Sequence, residues 1–137
     1  MEVVYSYPPN IKRIREVLTP PDHAVFTYDK KLYCPTEDAL IPRHLMAHEE
    51  VHVDQQDLLG VDRWWELYLT DPQFRIAQEL SAYRAQYQDF CMYQTNHMKQ
   101  YGFLLELAKW LSGPMYGNAI SFANACMMIR NEKEDGS

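Results

Sequence analysis

The chain has 137 residues, of which 47% are hydrophobic, enough for one domain with its own core, and no run of 18 apolar residues that would cross a membrane. A formal charge of −6, with Lys12, Arg13 and Arg15 too few to form a basic stripe, argues against nucleic acid as a principal partner. Three cysteines, Cys34, Cys91 and Cys126, are odd in number and lack metal-ligand spacing, and the opening Met1 to Pro9 has no basic start or long apolar run; the expectation is a cytoplasmic protein with reduced thiols and no signal peptide.

In chain order, Val3 to Tyr5 reads as a short strand. Ala24 to Tyr28 and Lys31 to Cys34 are β-prone runs on either side of Asp29-Lys30, which predicts a hairpin. Next comes His48-Glu49-Glu50-Val51-His52, an H-E-x-x-H pattern in a stretch with helical character. Residues four apart on a helix lie one turn apart on one face, so the two imidazoles can converge on one ion with Glu49 in reach of water there. That combination points to zinc-dependent hydrolysis with Glu49 as general base. Glu50, Asp54 and Asp57 fall on the opposite face, which places the histidine face inward. His44 extends the series by a turn, but it stands about 12 Å along the axis from His52, too far to share an ion with it, and is read as a supporting or surface residue.

A catalytic zinc takes three protein ligands, so a third donor is required. The metzincin extension is excluded because the positions it needs are Gln55 and Leu58. Asp71-Pro72 reads as the cap and first turn of a further helix, on which Ile76, Leu80, Tyr83, Tyr87 and Phe90 form an apolar stripe. Glu79 projects into that stripe, where a carboxylate needs a partner, and it is the leading third ligand. Its alternatives as a ligand are Glu66, His97 and His23; an ion pair with Arg75 or Arg84 would explain Glu79 without a metal. Lys99 to Leu111 and Ile120 to Arg130 carry core-forming helical patterns, the second with Phe122, Ala125, Cys126 and Ile129 inward. The turn Gly113-Pro114 to Gly117-Asn118 presents Tyr116, and Tyr83 lies one turn beyond Glu79; each is a candidate to stabilise an oxyanion, against a packing role.

The motif His48-Glu49-x-x-His52, Gln55 just beyond it, and Glu79-Leu80-Ser81-Ala82-Tyr83 a helix later resemble the gluzincin type of zinc metallopeptidase, in its minimal single-domain forms from bacterial and phage genomes. The resemblance covers roughly Val25 to Arg130. It implies a zincin-like, mostly helical α+β fold with zinc held by His48, His52 and Glu79, Glu49 as base, and a peptide or protein substrate. It also implies an edge strand beside the metal, to which an extended peptide would add through main-chain hydrogen bonds. The chain lacks the asparagine-glutamate and serine-aspartate pattern of the larger thermolysin-like members, and their separate lobe.

The expectation is thus a single domain over residues 1–130, a flexible acidic tail over 131–137, and metal-assisted amide hydrolysis. Two competing readings are a non-catalytic zincin-fold binding or assembly protein, and a zinc amidase acting on a cell-wall amide.

Overall fold

The computed structural model describes residues 1–37 and 40–131; apart from Asn131, the predicted acidic tail lies outside the described residues. The fold is α+β and mostly helical. Strand β1 (Glu2–Val4) is followed by α1 (Ile11–Val17), β2 (Phe26–Tyr28), β3 (Lys31–Tyr33), α2 (Arg43–Leu59), α3 (Val61–Thr70), α4 (Pro72–Tyr93), α5 (His97–Leu111) and α6 (Phe122–Arg130). A 3₁₀ turn at Pro114–Tyr116 separates the last two helices.

The hairpin forms at the predicted place. Asp29 and Lys30 both take positive φ, 51° and 67°, the pair of left-handed residues whose twist matches that of the flanking strands. β3 pairs antiparallel with β2 and parallel with β1, giving the order β1-β3-β2. β2 is therefore an edge, and it lies against α2.

Asp71 caps α4 as its sequence implies, accepting from the backbone N–H groups of Gln73 and Phe74, with Pro72 in the first turn. Helices α1 and α3 are absent from the sequence-based reading. α3 begins immediately after α2 because Gly60, at φ 97°, turns the chain in a conformation side-chain-bearing residues rarely adopt. On α6, Ala125 and Ile129 are buried as expected and Cys126 is half-buried, whereas Phe122 is 46% exposed; it stands at the first helical position, ahead of the first buried turn.

Two apolar clusters support the molecule. One joins α1, β2 and α3 through Ile14, Phe26, Trp64, Trp65, Tyr68 and Leu69. The other joins α4, α5, α6 and the 3₁₀ turn, with Leu104, Leu107, Leu111 and Ile129 at its centre. Each fully buried aliphatic side chain contributes about 1.5–3 kcal/mol. α2 joins neither cluster with a fully buried side chain: its buried residues are His48, Glu49, His52 and Gln56. It packs chiefly on α4, whose buried face includes Arg75, Glu79 and Gln86. Since an unsatisfied buried polar group costs about 1–3 kcal/mol, this polar seam persists only if its groups find partners.

Candidate metal centre

The partners converge at one point. His48 and His52, one turn apart on α2, aim their Nε2 atoms at the same oxygen, Glu79 Oε1 on α4, at 3.0 and 3.2 Å. The three donor atoms lie within 4.8 Å of one another, and all three side chains are buried. Four ligands about 2.05 Å from a tetrahedral ion stand about 3.3 Å apart, so the spacing from Glu79 to each imidazole is close to that of a coordinated set. The group can hold a metal ion. Arg75 and Arg84 do not neutralise Glu79: Arg75 donates to the carbonyls of Tyr68, Leu69 and Met115, and Arg84 donates to that of Met128.

A second layer sets the protonation of the donors. The Gln55 amide nitrogen donates to the carbonyl of Gln78 at 3.1 Å, which fixes its oxygen toward His52 Nδ1 at 2.8 Å. His52 Nδ1 must then carry a proton, and in the neutral ring Nε2 is left with the lone pair a metal needs. Gln86 Oε1 meets His48 Nδ1 at 2.9 Å in the same way, and its nitrogen meets His44 Nδ1 at 3.0 Å. His44 is thus a supporting residue, set edge-on against the stacked rings of Phe90 and Phe103 and linked to His48 through Gln86. Tyr68 donates to the second Glu79 oxygen at 2.5 Å, and Trp64 packs against the His52 ring.

Glu49 is buried beside this group. Thr27 Oγ1 on β2 donates to its Oε1 at 2.7 Å, and its other oxygen lies 3.9 Å from His48 Nε2. Tyr83 meets the His48 ring edge-on, at 4.8 Å between centroids, and its hydroxyl is a hydrogen-bond partner of Tyr116. Both phenols line one cavity of about 330 Å³ together with His48, Glu49, His52 and Glu79. Of the alternative ligands, Glu66 is exposed and paired with Arg13, His97 is exposed at the start of α5, and His23 stands on the cavity wall apart from the donor group. Thr27, Tyr68 and Gln86 were not singled out by sequence reasoning. The one available signal was the set Trp64, Trp65, Tyr68 and Leu69, whose helical spacing marks the buried face of α3.

The edge strand β2 runs beside the donor group, with Thr27 at its centre. In a two-residue hairpin Tyr28 and Lys31 form the hydrogen-bonded pair, so Thr27 turns its backbone groups outward. Its carbonyl is already taken by Gln56 Nε2 at 2.8 Å and Trp65 Nε1 at 3.1 Å. An added peptide strand would find that acceptor occupied.

Burial opposes charge on His52, but the Glu79 carboxylate outweighs it, with help from Glu49 and Gln55, and the imidazole is pushed up to about 9. Burial likewise opposes charge on Glu79, yet His52 and His48 hold it well below the usual carboxylate range. Burial, followed by the nearby Glu79 charge, raises the phenols of Tyr68, Tyr83 and Tyr116, so each keeps its proton at neutral pH. Burial lowers His44.

In metal-free protein the raised His52 contributes stability that is complete below its ordinary value of 6.5 and is lost as pH rises through about 9. Glu79 contributes stability present above its ordinary value of 4.5 and lost on acidification, and lowered His44 adds a smaller loss below 6.5. The melting temperature of chelator-treated protein should therefore fall between pH 7 and about pH 9.5. With excess zinc the stabilisation by metal should instead grow with pH, because coordination requires His52 to release its proton. Melting curves across this range, with and without zinc, check both signs; a metal-free midpoint that climbs toward pH 9 would contradict the His52–Glu79 coupling.

No family model, curated protein or solved structure matches the chain. What the fold and geometry define is a class: a mostly helical α+β protein built around a buried His-His-Glu group that can hold a metal ion. Among the described residues, no helix is long and apolar enough to cross a membrane.

Proposed function

We propose that the chain is a zinc-dependent metallopeptidase of the gluzincin kind, with His48, His52 and Glu79 as ligands and Glu49 as general base. The observation that carries this reading is Glu49 itself. A metal held only for structure needs no second buried carboxylate, yet Glu49 stands beside the three donors, oriented through one oxygen by Thr27, on the wall of an accessible cavity. Two imidazoles and one carboxylate with room for a further ligand are a donor set suited to catalytic zinc. The pairing of a histidine-bearing helix, a third-ligand helix and an edge strand supports a zincin-like arrangement.

Zinc in such a site supplies Lewis acidity, polarising a carbonyl and acidifying water. The chain's own groups do the rest. Glu49 accepts a proton through the oxygen that Thr27 leaves unbonded and returns it to the leaving amine. Tyr83 and Tyr116 are both protonated on the cavity wall; the Tyr116 hydroxyl donates to Tyr83, so the Tyr83 proton is the one left for a developing oxyanion. Gln55 and Gln86 hold the ligand rings in the tautomer that leaves Nε2 free.

Digestion of a mixture of unstructured peptides, read by mass spectrometry, tests the reading. Cleavage should stop with chelator and return with zinc. A protein that demonstrably holds zinc and cuts none of the peptides would overturn it. Thr27→Val should lower kcat about tenfold or more, because a charged hydrogen bond that fixes the base is worth about 1.5–3 kcal/mol. Thr27→Ser should recover most of the rate. Zinc content should stay the same in both variants, so a Thr27→Val protein with the full rate would remove the positioning role.

A further inference from the structure

The cavity that reaches the donor group has carboxylates and histidines on its walls but no permanently charged cation among its described residues. Among the described residues that line it, none is a lysine or arginine, while three are glutamates: Glu49, Glu79 and Glu106. The first two are engaged, Glu49 by Thr27 and Glu79 by His48, His52 and Tyr68. Glu106, on α5, is different. It is exposed, lines the cavity and forms no ion pair with any described lysine or arginine.

Its setting is specific. Phe103, Leu107 and Trp110 stand at i−3, i+1 and i+4 from Glu106 on α5 and line the same cavity, and Trp110 leaves 48% of its surface exposed. A carboxylate next to an exposed indole and aliphatic surface is complementary to a long apolar stem that ends in a cation. The stem packs on the apolar groups, and the charged end meets both the carboxylate and the ring face. A free carboxyl terminus would find no lysine or arginine on these walls to receive it.

We infer that Glu106 and Trp110 form a subsite for a cationic group of the substrate, so that the site takes peptides with an arginine or lysine side chain, or a free amino end, on the α5 side of the donor group. This rests on the peptidase reading above for the identity of the ligand. The two sources of the cation share one chemistry and differ in where the charge sits.

The test uses the zinc-loaded Glu49→Gln protein, which should bind without cutting, titrated by tryptophan fluorescence. The probes are hexapeptides blocked at both ends and alike except for one central residue: arginine, norleucine or glutamate. A fourth probe is the norleucine peptide with its amino end unblocked. The arginine or the unblocked peptide should bind about fivefold tighter than blocked norleucine, and the glutamate peptide should bind weakest. The side-chain source predicts the first and the amino-end source the second. Adding Glu106→Gln should level the series, and Glu106→Lys should favour the glutamate peptide. Equal binding of all four probes, or a preference untouched by both Glu106 changes, would overturn the inference while leaving hydrolysis by wild type to be judged separately. Charge-selective binding without any cleavage by wild type would keep the subsite and remove the peptidase reading; no binding of any probe would overturn the subsite.

Discussion

Replacing Glu79 with alanine is expected to abolish metal binding and to remove much of the stability of the metal-free protein. One Glu79 oxygen meets both imidazole nitrogens, at 3.0 and 3.2 Å, and the other accepts from Tyr68, so a single truncation strands three buried groups. Removing one partner of a buried charge pair costs about 3–5 kcal/mol, a large share of the 5–15 kcal/mol that holds a typical domain together. Zinc affinity should fall by more than about a hundredfold, since loss of even an outer-layer partner costs 10–100-fold. Glu79→Gln separates the two effects. It keeps an oxygen for Tyr68 and the size of the side chain but loses the charge, so it should fold better than the alanine variant while still binding zinc poorly. Zinc titration and thermal melts of both variants read this out. Undiminished zinc affinity in Glu79→Gln and Glu79→Ala would remove Glu79 from the ligand set.

The second large effect is expected at Glu49. Glu49→Gln leaves the three donors untouched and keeps an oxygen for Thr27, so zinc content and melting temperature should stay near those of wild type. Turnover should drop by about 10²–10⁴, the usual contribution of a positioned general base. Rates on any peptide that wild type cuts, measured alongside zinc content, test this. A Glu49→Gln protein that retained wild-type hydrolysis would show that the proton goes elsewhere.

The parts of the site legible in the sequence are those set by local periodicity. His48, Glu49 and His52 fall on one face because a helix repeats every 3.6 residues, and Glu79 is traceable to the inward side of a capped helix, although the face it shares there, with Arg75, Ala82, Tyr83 and Gln86, is more polar than the stripe the periodicity predicts. The hairpin at Asp29-Lys30 is local in the same sense. The groups that tune the site are not. Thr27 meets Glu49 across 22 residues and Gln86 meets His48 across 38, contacts that exist only after α2, α4 and the edge strand have packed. Tyr68 reaches Glu79 from α3, a helix whose direction depends on the turn at Gly60. Tyr83 and Tyr116 could be nominated from their positions, but only the folded chain shows that their hydroxyls meet each other beside the donor group. The same packing fills the outward carbonyl of Thr27 on β2, with Gln56 and Trp65 both donating to it.

The claim on which all of this depends is that His48, His52 and Glu79 together bind one ion per chain. Elemental analysis of protein purified without metal-chelating resin, before and after equilibration with zinc, tests it most directly. The geometry predicts about one zinc per chain in wild type and a clear loss in the Glu79→Gln variant. No zinc in wild type after equilibration would contradict it, and would leave the buried seam between α2 and α4 as a hydrogen-bonded polar core.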